Sequence, residues 1–370
     1  MLTTSDIRFM DCADEFLELA LKERKQLSYD HQLNITARDC FAVPPVVVND
    51  CYSLTENERS KIVDCYNTSG VCHFIICNPP EVVTDKHPLF LICAQLANDL
   101  NLHYPLTHPL EGHSEAVKRF GPPDGTFKIY DLPKPINGLC YREVAESSDP
   151  FEVHLDGLGS GGTVQSLILY MDDAPLFGGF TFFYDMFALG MALADQDMEA
   201  FRHLFLPDAF TAIRPRGKGA IKVVTPVFYL NEAGLPHVFF RQNSGEYRML
   251  WRGNCPPLNR ASQFLERFTQ PFSPGSFFVP FSRRGCACIC RNRDIAHGRT
   301  SFIDGNKRDQ CRLLSRKWFM TNKEHSEYKH VPGVLVRKDL AVLAPNQFGD
   351  LRLKGEWLYD EASDTNIRIR

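Results

Sequence analysis

No apolar run in this 370-residue chain approaches the length of a membrane span. The longest, such as Phe74 to Cys77 and Val164 to Met171, are a few residues long, whereas a spanning helix needs about 20. A membrane partner is therefore not expected. The opening residues, Met1-Leu-Thr-Thr-Ser-Asp-Ile-Arg-Phe, hold neither a basic n-region nor a continuous apolar stretch, which predicts a cytoplasmic protein that is not exported. Charge of one sign is scarce too. With 45 acidic against 41 basic residues, a net charge of −4 and no long basic run, the chain lacks the footprint that displaces counterions from nucleic acid. No internal repeat or low-complexity block occurs, so solenoid and linker architectures are excluded. What remains is one compact unit with a small-molecule partner; its oligomeric state is left open.

The most closely spaced cysteines, Cys286, Cys288 and Cys290, follow one another as Cys-x-Cys rather than in the Cys-x₂₋₄-Cys spacing of the commoner zinc sites. All 13 are scattered along a chain large enough to build a core without disulfides, which fits reduced thiols. Cys286-Ala-Cys288-Ile-Cys290 puts three thiols on one face of a strand. They are expected to pack as small apolar groups in a buried sheet.

Hydrophobic spacing predicts amphipathic helices over residues 12 to 26 and Asn57 to Tyr66, a buried strand over Gly70 to Cys77, and helical spacing again from Pro88 to Leu102. Leu106 to Pro135, rich in Pro, Gly and His, reads as a long irregular segment over the core. Strand signals then dominate: Glu152 to Leu155, Val164 to Met171, Gly179 to Phe183, Ala220 to Leu230, His237 to Arg241, Ser276 to Val279, Ala287 to Cys290 and Leu313 to Met320. Helical patches at Met186 to Leu206 and Asn259 to Phe268 interrupt them. Strand and helix do not alternate regularly, which disfavours a parallel sheet. The expected fold is mostly β with flanking helices, built on a double-stranded β-helix (jelly-roll) core. The expected organisation is a single domain over 1–370: a helical N-terminal decoration to 68, the core with its insertions over 69–320, and a C-terminal extension over 321–370.

The candidate chemistry lies in His154-Leu-Asp156 and in Asp294-Ile-Ala-His297-Gly-Arg. His154 and Asp156 are two apart in a strand, so β alternation turns both side chains to one face. A glycine-rich loop follows, with Gly157, Gly159, Gly161 and Gly162. His297 can join the pair where a later strand returns beside the first. Two imidazoles and one carboxylate leave metal positions open, the facial set used by oxygen-activating iron(II) sites, although zinc accepts the same donors. A lone His-x-Asp is common as a turn and hydrogen-bonding element. Arg312 and Arg316 also have an ordinary reading, as surface partners of Asp304 or Asp309.

Taken in order, His154-x-Asp156, Gly178-Gly179-Phe-Thr181, Asn-Arg-Asp-Ile-Ala-His297-Gly-Arg and Arg312-x-x-x-Arg316 resemble the iron(II)- and 2-oxoglutarate-dependent oxygenases of the taurine dioxygenase and clavaminate synthase type, over about Ser69 to Met320. The resemblance implies that His154, Asp156 and His297 hold Fe(II), with 2-oxoglutarate and O2 as cosubstrates. It gives Arg312 the far carboxylate of 2-oxoglutarate, a task suited to a planar guanidinium fork, and it gives Thr181 a hydroxyl contact to the same molecule. Arg316, four residues on, is where several relatives meet an anionic group of the substrate; bracing the site from outside is its other reading. Because Asp156 is a carboxylate, the related halogenation is disfavoured.

The implied reaction is oxidation, by default hydroxylation, of a C–H bond in a small polar substrate, with release of succinate and CO2. An anionic or zwitterionic amino acid or amino-acid-derived carboxylate is the expected substrate. Desaturation or cyclisation by the same oxidant is the alternative. Residues 106 to 135 and 241 to 257 are candidate substrate walls, with Arg241, Tyr247 and Arg252 as candidate contacts. Arg299, two beyond the distal ligand, is placed either to orient the loop or to touch the cosubstrate, and no catalytic step is assigned to it. Two other classes compete. A non-catalytic small-molecule-binding jelly roll predicts a missing ligand or arginine, and none is missing. A zinc hydrolase predicts an additional general base.

Overall fold

A computed structural model describes residues 4–23, 35–80, 87–105, 126–131, 145, 147–157, 164–216, 219–230, 234–243, 248–306, 310–320, 357–360 and 365–368. Eleven strands make its two main sheets. In chain order they are β1 (Phe41–Ala42), β2 (Val46–Val48), β3 (Val71–Ile76), β4 (Thr126–Tyr130), β5 (Phe151–His154), β6 (Val164–Asp173), β7 (Thr181–Asp185), β8 (Phe277–Val279), β9 (Cys286–Arg291), β10 (Ile295–Arg299) and β11 (Leu313–Met320). One sheet runs β1-β8-β7-β10-β5 and the other β2-β3-β9-β6-β11-β4. Only the short edge pairs β1 with β8 and β2 with β3 are parallel.

Period-2 alternation explains how the sheets stack. On β6, Leu167, Leu169 and Met171 join the core between the sheets, while Ile168 and Tyr170 face an outer helical layer. On β9, Cys286, Cys288 and Cys290 point inward with them and Ala287 and Ile289 point outward. The five-stranded sheet contributes Phe183, Phe277, Val279 and Ile295 to the same interior. Both faces of these strands are buried, so they read in sequence as continuous apolar runs. Every described cysteine is a free thiol, and the 286/288/290 triplet packs in the interior as expected.

Helices cover the outside: α1 (Thr4–Glu23), α2 (Glu56–Ser69), α3 (Pro88–Leu96), α4 (Met186–Gln196), α5 (Met198–His203) and α6 (Pro256–Phe268). Thr55 and Glu58 form a capping box at the start of α2, and Gly70 closes it in the left-handed region at φ 75°. The predicted helix over 186 to 206 is two helices. Asp197 interrupts it and caps α5 by accepting from the Ala200 N–H at 3.0 Å. The strand expected over 220 to 230 is likewise two, Gly219–Thr225 and Phe228–Leu230, broken at Pro226. In the segment expected to be irregular, Thr126–Tyr130 forms β4 and pairs with β11. This run is short and is framed by Gly125 and Pro133, and that punctuation masked its alternation. Of the tail, only the hairpin Trp357–Asp360 with Thr365–Arg368 is described.

Gly190 in α4 shows how tightly the outer layer packs. A Cβ there would lie 2.9 Å from the Phe228 ring and 3.2 Å from that of Phe201. Gly190→Ala gains about 1 kcal/mol of helix propensity, yet overpacking of this kind costs about 1–3 kcal/mol. Because both rings belong to the buried core, the steric cost is expected to win. A lower midpoint in chemical denaturation checks it; an unchanged or higher midpoint refutes it.

Candidate metal centre

The strand register brings the separated motifs together. His297 on β10 is the cross-strand Cα partner of His154 on β5, and their rings stand 4.5 Å apart. Asp156, two residues after His154, turns to the same side. His154 Nε2 lies 3.4 Å from Asp156 Oδ1, and His297 Nε2 lies 3.7 Å from Oδ2. One donor atom from each residue falls within 4.8 Å of the others. Donors held about 2.0–2.2 Å from one ion stand roughly 3 Å apart, so a small contraction brings these three onto it.

The hydrogen bonds around the set favour ligation. His154 Nδ1 lies 2.7 Å from the Glu152 carbonyl oxygen, which can only accept, so Nδ1 carries the proton. That leaves the Nε2 lone pair turned toward Asp156, and Nε2 has no hydrogen-bond partner of its own. Trp318 Nε1 donates to Asp156 Oδ2 at 2.7 Å. The Asp156 backbone is tied as well: its N–H donates to Asn292 Oδ1 at 2.8 Å, and Asn292 Nδ2 donates to its carbonyl at 3.0 Å.

Burial and charge set the protonation states. Burial alone would raise the Asp156 carboxyl, but the neighbouring Arg316 guanidinium leads the effects that hold the group well below the usual carboxylate range. Burial, followed by repulsion from His154, pushes His297 down to about 3. Burial and then Arg241 lower His154 as well. Both imidazoles are thus neutral near pH 7, the form that binds a metal.

These shifts have one sign. Unfolded histidine takes up a proton near about pH 6.5 while the folded imidazole stays neutral, so below that value the unfolded state binds more protons and stability falls. The depressed Asp156 works in the same direction at lower pH, because the unfolded carboxyl protonates first. The metal-free protein is expected to lose thermal stability from about pH 6.5 downward, with no contribution from these groups above it. Melting curves across that range test this, and a midpoint that climbs on acidification contradicts it.

Beside the triad lies a cavity lined by His154, Thr181, His297, Arg299, Arg312 and Arg316, with Phe151, Leu169 and Leu314 as its apolar wall. Residues 312, 314 and 316 reach it together because alternate positions of β11 and the residue before it share a face. Arg312 is 3% exposed. Its backbone N–H donates to Asp304 Oδ1 at 2.7 Å, but its side-chain Nε and Nη1 have no hydrogen-bond partner. Burial first, and Arg299 second, hold its pKa well below the usual guanidinium value. Unmatched donors on a buried cation suit an anionic partner. Gly179, at φ 74°, makes room for it: a Cβ there would lie 3.4 Å from Arg312 Nε.

The remaining candidates separate. Arg316 Nη1 lies 3.6 Å from Asp156 Oδ1, and its guanidinium sits 4.3 Å from the Trp318 ring centroid. Arg241 extends the five-stranded sheet beyond β5, bridging to His154, with its guanidinium 5.5 Å from the Phe151 ring. It is 5% exposed. Arg252 pairs with Asp208 at 2.9 Å and does not line the cavity. Tyr247 lies outside the described residues, as does most of 106 to 135. Sequence reasoning missed Trp318 and Asn292. Trp318 carried a signal, since it shares the β11 face of residues 312, 314 and 316. Asn292 heads the Asn-Arg-Asp-Ile-Ala-His297 motif, but its role comes from contacts to residues distant in sequence.

No protein-family model matches the chain, and no curated protein matches it in sequence. Solved structures match in shape. A variant of the non-heme iron oxygenase OrfP, in complex with (3S)-hydroxy-L-Arg, has a TM-score of 0.50 and 14% identity over 87% of this chain and 93% of that one. Asparagine oxygenase, in complex with Fe(II), 3-hydroxyasparagine and succinate, has a TM-score of 0.48 and 15% identity over 90% and 98%. A taurine dioxygenase from Burkholderia xenovorans has a TM-score of 0.45 and 16% identity over 77% and 89%. At these identities the likeness is one of fold: this chain has the strand-rich jelly roll with flanking helices on which the non-heme iron oxygenase OrfP is built.

Proposed function

We propose that the protein is an iron(II)- and 2-oxoglutarate-dependent oxygenase that oxidises, by default hydroxylates, a C–H bond of a small polar molecule, releasing succinate and CO2. The substrate class is an amino acid or an amino-acid-derived carboxylate. The observation that carries this reading is the coincidence, in one cavity, of the His154/Asp156/His297 set with the buried, unmatched donors of Arg312. Either feature alone has other uses; a dicarboxylate that must both reach a metal and end on a guanidinium needs both. OrfP, a non-heme iron oxygenase solved with a hydroxylated arginine, has the same fold, which is consistent with a polar amino acid as substrate.

Iron(II) in such a site supplies the activation of O2 and the oxidation of the 2-oxo acid. This chain's residues supply the rest. His154 and His297 offer neutral imidazole donors, and Asp156 stays ionised under the influence of Arg316. Arg312 binds the distal carboxylate, and the Thr181 hydroxyl lies on the same wall. Phe151, Leu169 and Leu314 keep that wall dry, which strengthens each charged contact. Arg316, beside Asp156 and lining the cavity, is the cation placed to meet an acidic group of the substrate. That charge favours anionic or zwitterionic molecules.

The test is a screen of free amino acids and related carboxylates, scored by stimulated 2-oxoglutarate consumption and succinate formation with iron. Substrate-dependent succinate, absent without iron, is the expected result. Mass spectrometry of the product separates hydroxylation, a gain of one oxygen, from desaturation or cyclisation, a loss of two hydrogens. Purified protein that binds neither iron nor 2-oxoglutarate refutes the proposal.

A further inference from the structure

Phe302 serves two guanidinium groups with one ring. The guanidinium carbon of Arg299 stands 4.9 Å from its centroid and that of Arg312 stands 5.1 Å away. All three side chains are buried, with Arg312 3%, Phe302 4% and Arg299 6% exposed. Two cations sharing a dry site repel each other, and Arg299 is the charge that adds to burial in lowering the Arg312 pKa. Arg299 is anchored: its Nη2 donates to the carbonyl oxygens of Ser147 at 2.7 Å and Asp149 at 2.6 Å. On Arg312, Nε and Nη1 lack hydrogen-bond partners. Repulsion acts on both guanidinium groups, and at Arg312 the electron-rich face of Phe302 is an attraction that opposes it.

The ring itself is fixed by backbone. The Phe302 N–H donates to the Ser148 carbonyl at 3.1 Å, and Phe302 pairs with Gly178 in a short antiparallel ladder. Gly178 sits at φ 82°, and a Cβ there would collide with the Ser301 carbonyl and stand 3.2 Å from the Phe302 Cα. The approach of the two segments thus requires glycine, and it sets where the ring lies. The Gly178-Gly179 pair acts twice, with the first residue admitting Phe302 and the second admitting Arg312.

We propose that Phe302 is a positioning residue for the cosubstrate: its backbone-fixed ring holds the Arg312 guanidinium against repulsion from Arg299, in the orientation that meets the distal carboxylate of 2-oxoglutarate. The inference rests on reading the cavity as a 2-oxoglutarate site. A ring that merely fills space is replaceable by any apolar side chain of similar bulk. A ring that orients a cation needs its π face.

The experiment is calorimetric titration of 2-oxoglutarate, without oxygen, into protein loaded with Mn(II), with Mn(II) affinity measured separately. Phe302→Leu and Phe302→Met keep apolar bulk and lose the face; Phe302→Tyr keeps it. Leu and Met are expected to weaken 2-oxoglutarate binding ~3- to 30-fold while leaving Mn(II) affinity as in wild type, and Tyr is expected to recover binding. Leu or Met binding 2-oxoglutarate as tightly as wild type overturns the proposal. So does a Tyr variant as weak as Leu, or a matching loss of Mn(II) affinity, which would mark general damage to the site. Wild type that binds Mn(II) but no 2-oxoglutarate overturns the underlying reading, and the proposal with it.

Discussion

Asp156→Ala is expected to abolish tight metal binding and, with it, metal-dependent succinate formation. Removing a residue that only holds a metal ligand costs about 10–100-fold in affinity or activity, and loss of the one anionic ligand should exceed that. Among the described residues this carboxylate is the acidic member of the set, and both of its oxygens face histidine nitrogens. The fold should weaken as well. Asp156 faces the buried Arg316 at 3.6 Å and accepts from Trp318, so alanine leaves a cation without that charge and an indole N–H without its acceptor. Breaking a buried ion pair costs about 3–5 kcal/mol at most, and the long separation here places the loss toward the lower end. Asp156→Asn is the informative companion, because it keeps an oxygen for Trp318 but not the charge. It should recover part of the stability and none of the tight metal binding. Metal analysis by mass spectrometry, paired with thermal melts, reads both effects; an alanine variant with wild-type metal content and turnover ends the assignment.

Much of this site was legible because it is written in β-strand arithmetic. His154 and Asp156 at alternate positions, and residues 312 and 316 an even number apart, declare shared faces whatever the rest of the chain does. The inward thiols of Cys286, Cys288 and Cys290 follow from the same rule. What the spacing could not supply was register. Whether His297 lands opposite His154 depends on how β10 aligns between β7 and β5, and that alignment is decided by tertiary packing. The role of Asn292 was hidden for a related reason, since its amide donates to the carbonyls of both Asp156 and Val164. The secondary-structure differences are local. Pro226 and Asp197 each split an element that apolar pattern alone ran together, and Thr126–Tyr130 hid between turn residues. The role of Phe302 needed distances, because an aromatic residue three positions after Arg299 carries no signal of a ring shared with Arg312.

Arg312→Met is expected to lose 2-oxoglutarate binding and yet yield a folded protein at least as stable as wild type. Truncating one partner of a buried, hydrogen-bonded charge pair costs about 2–5 kcal/mol, which corresponds to roughly 30- to 4,000-fold in Kd. Arg312→Lys should recover only a small part, because an ammonium cannot present two parallel N–H donors to one carboxylate. The stability effect has the opposite sign. Arg312 is a buried cation that burial and Arg299 both oppose, and its Nε and Nη1 donors are unmatched. Its depressed pKa means that the fold disfavours the charged form, and at neutral pH the guanidinium is charged all the same, so the strain is carried by the native state. Methionine fills similar volume over Phe302 without charge, and such replacements of buried ionic groups are often neutral or stabilising by about 1–4 kcal/mol. The ligand-free melting midpoint should therefore hold or rise, while the upward shift that 2-oxoglutarate gives metal-loaded wild type should vanish. A clear drop in the ligand-free midpoint would show that Arg312 is held by its surroundings for structural reasons. The predicted pattern is that of a binding site whose tension is released by its ligand: under the proposed function, a cation is kept in a dry wall, at a cost in stability, to receive a dicarboxylate.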